Sequence, residues 1–152
     1  PSERALVADA RATVRAAQRD FPGPLYLWGE SHGSGIATAL AADRTQPVEG
    51  LVLITPFTSL PDVAQSVYWF LPVKWLLRDK YDNVANLSGF QKPVAILVAA
   101  RDEIIPNEQA QGLYDSLTAR KRMWLFKGAG HNTWPASPQE KWWWEVADFV
   151  EE

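Results

Sequence analysis

Gly29-Glu30-Ser31-His32-Gly33 is the stretch that decides the fold of this chain, because of what lies on each side of it. The apolar run Leu25-Tyr26-Leu27-Trp28 comes before it and predicts a β-strand, and Ile36-Ala37-Thr38-Ala39-Leu40 follows with a helical pattern. A serine with glycines two residues before and two residues after, on a sharp turn from strand to helix, has the pattern of a nucleophile elbow. The turn brings its backbone segments so close that we expect a Cβ at either glycine position to clash.

The rest of the chain alternates predicted strands with predicted helices, which favours a parallel sheet with crossover helices. The other apolar runs predict strands at Val48–Ile54, Pro93–Ala99 and Met123–Phe126. The helical patterns run from the N-cap Ser2 to about Asp20, from the elbow to about Asp43, from Pro106-Asn107 to Ala119, and from the cap Ser137-Pro138 to Glu152. We therefore predict a single domain over 1–152, with a three-layer α/β/α fold and a mainly parallel sheet of about four strands.

Residues 55–89 interrupt this alternation with an irregular, partly helical and aromatic segment. Short helices are predicted near Val63–Phe70 and Val73–Arg78. The longest apolar stretch of the chain, Val67–Leu77, lies here, and it is too short to cross a bilayer and is broken by Pro72 and Lys74. Because no secretory signal is visible either, we expect a cytoplasmic protein without a membrane span.

Composition argues against several classes of function. A net charge of −3 gives no electrostatic reason to expect nucleic acid as a partner, and the short basic cluster Arg120-Lys121-Arg122 is predicted to be a solvated loop. The chain has no cysteine, so it has no thiolate nucleophile and no thiolate metal site, and its two histidines cannot build a three-histidine site. We expect neither a metal nor a cofactor.

Three residues with the chemistry of a hydrolase follow predicted strands. Ser31 follows the first strand, Asp102 the third and His131 the fourth, so the carboxyl ends of parallel strands would bring them to one edge of the sheet. A serine hydroxyl is a poor nucleophile until a base takes its proton; His131 would be that base, and Asp102 would orient the imidazole and stabilise the imidazolium. The chain order Ser, Asp, His is the one found in α/β-hydrolases.

His32 is the rival base, and it directly follows the proposed nucleophile. In that position its side chain is expected to point away from the serine, while its backbone N–H points into the site. We therefore predict that His32 is an oxyanion donor through its main chain and that its ring is structural or lines a pocket.

Each member of the set also has a simpler interpretation. Ser31 could be a helix N-cap, Asp102 a surface or capping carboxylate, and His131 an ordinary loop histidine. The other carboxylates that could serve as the acid are Glu103, Asp79 and Asp82.

The sequence resembles the α/β-hydrolase superfamily, and within it the small serine hydrolases and esterases of the abhydrolase-domain, peptidase S9-like branch. Besides the elbow, the segments that carry the resemblance are Thr55–Leu60, Leu76–Asp82, Arg101–Pro106 and Gly128–Asn132. The resemblance implies a carboxylic-ester hydrolase that works on a small acyl ester through an acyl-enzyme, with Ser31 as nucleophile, Asp102 as acid and His131 as base. It departs locally at His32, where relatives often carry leucine or another apolar residue.

A larger departure from the family is that its first strands are lacking. A loop after one of those strands supplies the family's second oxyanion donor, and no such motif precedes the elbow here. The family's strand order would place a lacking strand beside Leu25–Trp28, so we expect that strand to have an open hydrogen-bonding edge. The chain could be the C-terminal part of a domain completed by an N-terminal segment, a minimal hydrolase that self-associates across a two-fold axis, or a remnant that folds without catalysing. Retention of all three candidate residues favours the first two.

Eight tryptophans are many for 152 residues. Trp69 and Trp75 lie in the aromatic segment where relatives build part of an acyl pocket, and Trp134 is three residues past His131, so these three are predicted to line a substrate pocket. Plain core packing is the alternative. Trp142-Trp143-Trp144 cannot all face one side of a helix, so at least one is expected to meet solvent, ligand or another chain. The competing functions are a serine peptidase or thioesterase with the same triad, and an interaction domain that uses exposed tryptophans.

Overall fold

Four parallel strands form a single sheet in the order β1-β2-β3-β4 in a computed structural model that describes residues 2–152. The strands are β1 (Leu25–Glu30), β2 (Val48–Ile54), β3 (Val94–Ala99) and β4 (Lys121–Phe126). The helices are α1 (Glu3–Asp20), α2 (His32–Ala42), α3 (Leu60–Val67), α4 (Asn83–Asn86), α5 (Asn107–Ser116) and α6 (Trp142–Glu151), with a 3₁₀ turn at Val73–Trp75. The α/β alternation predicted from the sequence is confirmed.

The two central strands are covered on both faces, which is why they read as continuous apolar runs. Leu51 and Ile96 project to one face and pack in a core with α2 and α5. Val52 and Leu97 project to the other face and pack against α6. The alternation of side chains along each strand therefore separates two cores, and the three-layer α/β/α arrangement follows from it.

β1 is an edge strand with one unpaired side. The Ser31 N–H donates to the carbonyl of Ile54 on β2 at 2.8 Å, so by alternation Trp28 and Glu30 direct their backbone polar groups away from β2. The neighbouring helix α1 packs on α2, yet none of the residues Glu3–Asp20 is buried. The open edge that the sequence predicts is therefore present among the described residues.

The basic cluster Arg120-Lys121-Arg122 is not the solvated loop that the sequence predicts, because β4 begins at Lys121. Lys121 Nζ donates to the carbonyls of Tyr114 and Leu117 at the end of α5, at 2.8 and 3.0 Å. The guanidinium of Arg122 lies 4.5 Å above the ring centroid of Trp124. Arg120 likewise donates to the Phe149 carbonyl at 3.0 Å, so contacts with carbonyls and aromatic faces account for all three charges.

The final helix begins at Trp142, and not directly after the predicted cap Ser137-Pro138. The Ser137 carbonyl accepts hydrogen bonds from the Glu140 N–H and the Trp143 indole, which fold residues 137–141 into turns. In residues 55–89, α3 and the 3₁₀ turn lie near the predicted short helices, whereas α4 was not predicted. A single turn of four residues has too little periodicity to recognise in a sequence.

Candidate active site

Ser31 has a strained backbone within the segment Gly29–Gly33, for which the sequence predicts a nucleophile elbow and which is called the elbow below. Its φ of 50° and ψ of −118° lie outside the regions that non-glycine residues ordinarily adopt. The conformation is held on both sides, because the Ser31 N–H bonds β2 and its carbonyl accepts the N–H and Oγ of Ser34, at 3.0 and 2.6 Å. The Ser31 hydroxyl consequently stands at the point where β1 gives way to α2.

The two glycines of the elbow have different roles. A Cβ on Gly29 would lie 2.5 Å from the carbonyl oxygen of Gly33 and 2.9 Å from the Cα of Ser34, so a side chain is sterically forbidden there. A Cβ on Gly33 would have no atom within 4 Å. The predicted clash is therefore real at Gly29 and wrong at Gly33, because the crowding comes from the first turn of α2 pressing on the end of β1 and not the reverse.

The structure brings Ser31, His131 and Asp102 together, from positions up to 100 residues apart along the chain. His131 Nε2 is 3.0 Å from Ser31 Oγ, and His131 Nδ1 is 2.8 Å from Asp102 Oδ2. The side chains of His131 and Asp102 are only 8% and 4% exposed. A carboxylate can only accept, so the proton of a neutral imidazole lies on Nδ1, and Nε2 is free to accept the serine hydroxyl.

The carboxylate of Asp102 is held in place by backbone N–H groups as well as by His131. Its Oδ1 accepts the backbone N–H groups of Ile104 and Ile105, at 2.9 and 2.7 Å, which leaves Oδ2 directed at His131. Among the competing carboxylates, Asp82 caps α4 by accepting the Ala85 N–H. Asp102 is the candidate acid whose carboxylate lies within hydrogen-bonding distance of His131.

His32 is the first residue of α2, where backbone N–H groups have no intrahelical acceptor. Its ring lies edge-on to the ring of Tyr81, with centroids 4.2 Å apart, and not on the Ser31 hydroxyl. Tyr81 is almost fully buried, and burial, followed by the charges of Asp79 and Glu3, raises the pKa of its phenol. The placement leaves the His32 main chain, and not its imidazole, available at the site.

A buried polar network beneath the elbow was not predicted from the sequence. Asn83 donates to the Phe57 carbonyl at 2.9 Å and to Ser34 Oγ at 3.3 Å, and accepts the Thr38 hydroxyl at 2.6 Å. Ser34, Thr38 and Asn83 are each 0% exposed. The network joins α2 to the segment after β2, and only an Asn directly after the capping residue Asp82 hinted at it.

The three predicted pocket tryptophans lie in two different environments. Trp69 and Trp75 are 79% and 89% exposed on the segment between α3 and α4. Trp134 instead lies beside the elbow, where its indole donates to Glu30 Oε1 at 2.9 Å. Glu30 was not singled out in the sequence, although it immediately precedes the candidate nucleophile. Trp144, 71% exposed, is the member of the Trp142–Trp144 run that meets solvent, as that run predicts.

No group of three or more His, Asp or Glu side chains within residues 2–152 is arranged to hold a metal ion. No helix described here combines the length and apolar character needed to cross a membrane.

Comparison with known families gives a direct match. A family model described as "Serine aminopeptidase, S33" matches residues 1–86. An uncharacterised protein of Mycobacterium tuberculosis is 36% identical over 135 residues, which cover 87% of this chain and 47% of that protein. The lysophosphatidylserine lipase ABHD12 of Danio rerio is 34% identical over 140 residues, covering 81% of this chain and 37% of the lipase. The chain thus spans about half, or less, of the length of these relatives.

Solved structures share the fold at lower identity. The esterase Pf2001 of Pyrococcus furiosus superposes with a TM-score of 0.76 at 18% identity, over 99% of this chain and 62% of the esterase. The non-heme bromoperoxidase BpoC of Mycobacterium tuberculosis superposes with a TM-score of 0.71 at 16% identity, over 99% of this chain and 74% of that protein. These likenesses are evidence for the arrangement of the sheet and helices around the site.

Proposed function

We propose, from the premise that this chain belongs to the serine aminopeptidase S33 family of α/β-hydrolases, that it cleaves carboxylic esters through an acyl-enzyme. The observation that carries the proposal is the continuous series of contacts from Asp102 through His131 to Ser31. A strained elbow presents the hydroxyl, and a buried imidazole with its acceptor nitrogen free lies within reach of it. This is the arrangement that acyl transfer by a serine needs.

In the proposed reaction Ser31 Oγ attacks the ester carbonyl while His131 Nε2 takes its proton. Asp102 keeps the imidazole in the correct tautomer and stabilises the imidazolium. His131 then gives the proton to the leaving alcohol, which departs and leaves an acyl group on Ser31. A water molecule, deprotonated by the same nitrogen, attacks the acyl carbonyl and returns the serine to its free form.

The oxyanion of each tetrahedral intermediate would be stabilised by the His32 backbone N–H at the start of α2. Each such donor is worth about 3–4 kcal/mol, and the loss of one slows turnover by about 10²–10³-fold. We assign no second donor among residues 2–152, and the open edge of β1, beside which the family places a further strand, lies next to the elbow. We therefore expect the chain alone to turn over slowly.

A covering strand on β1 is part of this proposal. On one face of β1 a shallow apolar groove of about 390 Å³ lies between Trp28, Trp143 and Trp144. An edge with free polar groups beside an exposed apolar surface favours addition of a further strand. We propose that a second copy of the chain supplies it across a two-fold axis, with a complementing N-terminal segment as the alternative. Light scattering at micromolar concentration tests this, and a monomeric mass contradicts self-association.

The acyl group is proposed to contact the aromatic segment. Trp69 and Trp75 are well exposed, and covering each with an acyl chain would remove apolar area from water at roughly 25 cal/mol per Å². The Trp75→Ala variant should then raise KM for p-nitrophenyl octanoate several-fold more than for p-nitrophenyl acetate. An equal change for the two esters would remove Trp75 from the substrate site.

Hydrolysis of p-nitrophenyl butyrate tests the function, with Ser31→Ala as the inactive variant. Ser88→Ala is a matched control, because Ser88 is an exposed serine after α4. A fluorophosphonate probe should add its mass to the wild type and to Ser88→Ala, and not to Ser31→Ala. Absence of both hydrolysis and label in the wild type would contradict the proposal.

A peptidase is the second candidate, since the matching family is described as a serine aminopeptidase. Aminoacyl p-nitroanilides and acyl thioesters, assayed beside the oxygen esters, distinguish the three reactions. The lipase and esterase names of the relatives support the ester.

A further inference from the structure

The loop that carries His131 has no helix or strand between β4 and α6, over residues 127–141. Around the histidine it closes a tight turn, in which the Gly130 N–H donates to Thr133 Oγ1 at 2.8 Å and the Thr133 N–H to the Gly130 carbonyl at 3.2 Å. Trp134 directly follows this turn. The positions of His131 and Trp134 are therefore linked, and whatever anchors the indole also constrains the imidazole.

The part of the loop after Trp134 is fastened to α6 by indole N–H groups. Trp142 donates to the Pro135 carbonyl at 2.7 Å, and Trp143 donates to the Ser137 carbonyl at 2.9 Å. The ring of Trp134 packs against both of these tryptophans, with centroids 5.5 and 6.1 Å away. The ring faces and N–H groups together fix the loop at its far end.

A third indole N–H, that of Trp134, crosses from the loop to the elbow. It donates to Glu30 Oε1 at 2.9 Å, and the adjacent residue Ser31 is 3.0 Å from His131 Nε2. Two neighbouring residues of the elbow thus contact two residues of the same loop through side-by-side hydrogen bonds. A bond from an N–H to a carboxylate is stronger than one between neutral groups.

We infer that the Trp134–Glu30 hydrogen bond is a latch that holds His131 at its working distance from Ser31. Its kinetic consequence rests on the function proposed above. Glu30 and Trp134 are positioning residues, because they act through His131 and not on the reacting atoms. Misplacement of a catalytic group by about 1 Å can cost about 10²-fold in rate, so a loosened latch lowers kcat. KM should stay unchanged in Glu30→Ala, because Glu30 is not one of the predicted pocket residues. In Trp134→Phe a ring is kept at the predicted pocket position, so KM should change little there as well.

Three variants separate the latch from simple packing. Trp134→Phe keeps a ring against Trp142 and Trp143 but removes the N–H. Glu30→Ala removes the acceptor, and because Glu30 is exposed this variant is expected to fold. Glu30→Gln keeps an acceptor oxygen and should restore part of the function of the latch. The matched control is Trp124→Phe, which removes the same kind of bond, 3.2 Å from Trp124 Nε1 to Glu145 Oε2, but between β4 and α6 and not between the loop and the elbow.

With p-nitrophenyl butyrate we expect kcat to fall about 10-fold in Trp134→Phe and in Glu30→Ala, with KM within about twofold of the wild type. The double variant should fall no further than either single variant, because both remove one bond. Trp124→Phe should keep the wild-type kcat, and Glu30→Gln, whose neutral oxygen accepts a weaker bond, should have a kcat between those of Glu30→Ala and the wild type. An unchanged kcat in Trp134→Phe, or an equal loss in Trp124→Phe, would overturn the latch.

Hydrogen exchange of the amides in residues 128–134 gives a readout that does not depend on turnover. Faster exchange in Glu30→Ala and Trp134→Phe, but not in Trp124→Phe, supports the latch. Equal exchange rates in the wild type, Glu30→Ala, Trp134→Phe and Trp124→Phe would refute the latch. If the wild type neither hydrolyses esters nor takes the fluorophosphonate label, the proposed function fails, and the exchange rates still decide whether the latch exists.

Discussion

The proposed nucleophile, Ser31, and the proposed base, His131, lie in regions that are held in place by different means. The elbow is fixed mainly by its main chain, through a hydrogen bond from Ser31 to β2 and a steric contact at Gly29, and a buried network of side chains lies below it. The loop of His131 has a backbone bond to the segment after β3, from the Arg101 N–H to the Ala129 carbonyl at 2.8 Å, and beyond His131 it is held by side chains. Three of these are indoles that donate to loop carbonyls and to Glu30. The position of Ser31 therefore depends mainly on the main chain of the sheet and α2, whereas the position of His131 depends more on side-chain contacts.

The largest expected effect tests whether the two regions meet as a functional unit. Asp102→Asn keeps the shape of the acid but removes its charge, and it allows the imidazole to adopt the wrong tautomer. For the equivalent change in a serine protease triad the loss of kcat is about 10⁴-fold, and we expect a similar loss here. The measurement is the rate of p-nitrophenyl butyrate hydrolysis together with the rate of fluorophosphonate labelling.

Glu103→Gln is the control for this variant, because it neutralises the adjacent carboxylate while leaving Asp102 intact. It should retain most of the activity. Comparable losses in the two variants would mean that negative charge near the loop, and not the Asp102–His131 contact, supports the reaction.

The elbow could be predicted from the sequence more fully than the His131 loop. A constraint on the main chain restricts which residue types are allowed, so Gly29 and the apolar runs of β1 and β2 predicted the elbow and its place at the sheet edge. Contacts between side chains that are distant in the sequence follow no fixed spacing. The Glu30–Trp134 bond joins positions 104 residues apart, and the tryptophans that hold the loop were predicted to be pocket or core residues.

The start of α6 and the buried network were missed for related reasons. Ser137-Pro138 has the composition of a helix start, but hydrogen bonds to the Ser137 carbonyl from Glu140 and Trp143 fold the next residues into turns. Asn83 makes its contacts with Phe57, Ser34 and Thr38, and nothing local in the sequence indicates those partners. Long-range polar contacts between residues that belong to no recognisable motif are the part of the site that a single sequence does not encode in its pattern.

Replacing each glycine of the elbow by alanine tests whether close main-chain packing holds the elbow in place. Gly29→Ala forces a methyl group against the Gly33 carbonyl and should lower the free energy of unfolding by about 3 kcal/mol, the upper range for overpacking. Gly33→Ala has open space and lies in helix α2, so it should be neutral or stabilise by up to about 1 kcal/mol. Urea unfolding of the two variants measures the difference, and equal destabilisation would contradict the asymmetry.

A smaller loss of unfolding free energy is expected when Asn83, in the buried network below the elbow, is replaced. Asn83→Ala leaves the Thr38 hydroxyl and the Phe57 carbonyl without their buried partner, which should cost about 2 kcal/mol of unfolding free energy. Asn86→Ala removes a single bond to the same Thr38 hydroxyl at the edge of the network and should cost about half as much. Urea unfolding measures both variants, and a larger loss at Asn86 would show that the network is not centred on Asn83.

The smallest effect is expected at α3, which side-chain contacts with the carboxylate of Asp62 connect to the residues around it. Asp62 of α3 binds Lys74 at 2.9 Å and accepts the hydroxyls of Thr58 and Ser59, both at 2.8 Å. Burial raises the pKa of Asp62, but the bonds from Lys74, Thr58 and Ser59 outweigh it, so that its pKa is lowered from 3.8. A carboxyl whose pKa is lower in the folded state contributes stability above its unfolded pKa and loses that contribution as the pH falls through its folded pKa.

Asp62→Asn should therefore destabilise the protein at pH 7, by less than about 1 kcal/mol because the ion pair is partly exposed to solvent. The difference from the wild type should shrink as the pH is lowered from 5 towards 3, since the wild-type carboxyl is then also neutralised. Asp9→Asn, at an exposed position of α1, is the control and should be neutral at both pH values. Urea unfolding at each pH measures this difference in unfolding free energy. A difference that does not change with pH would mean that the hydrogen bonds of Asp62, and not its charge, stabilise the protein.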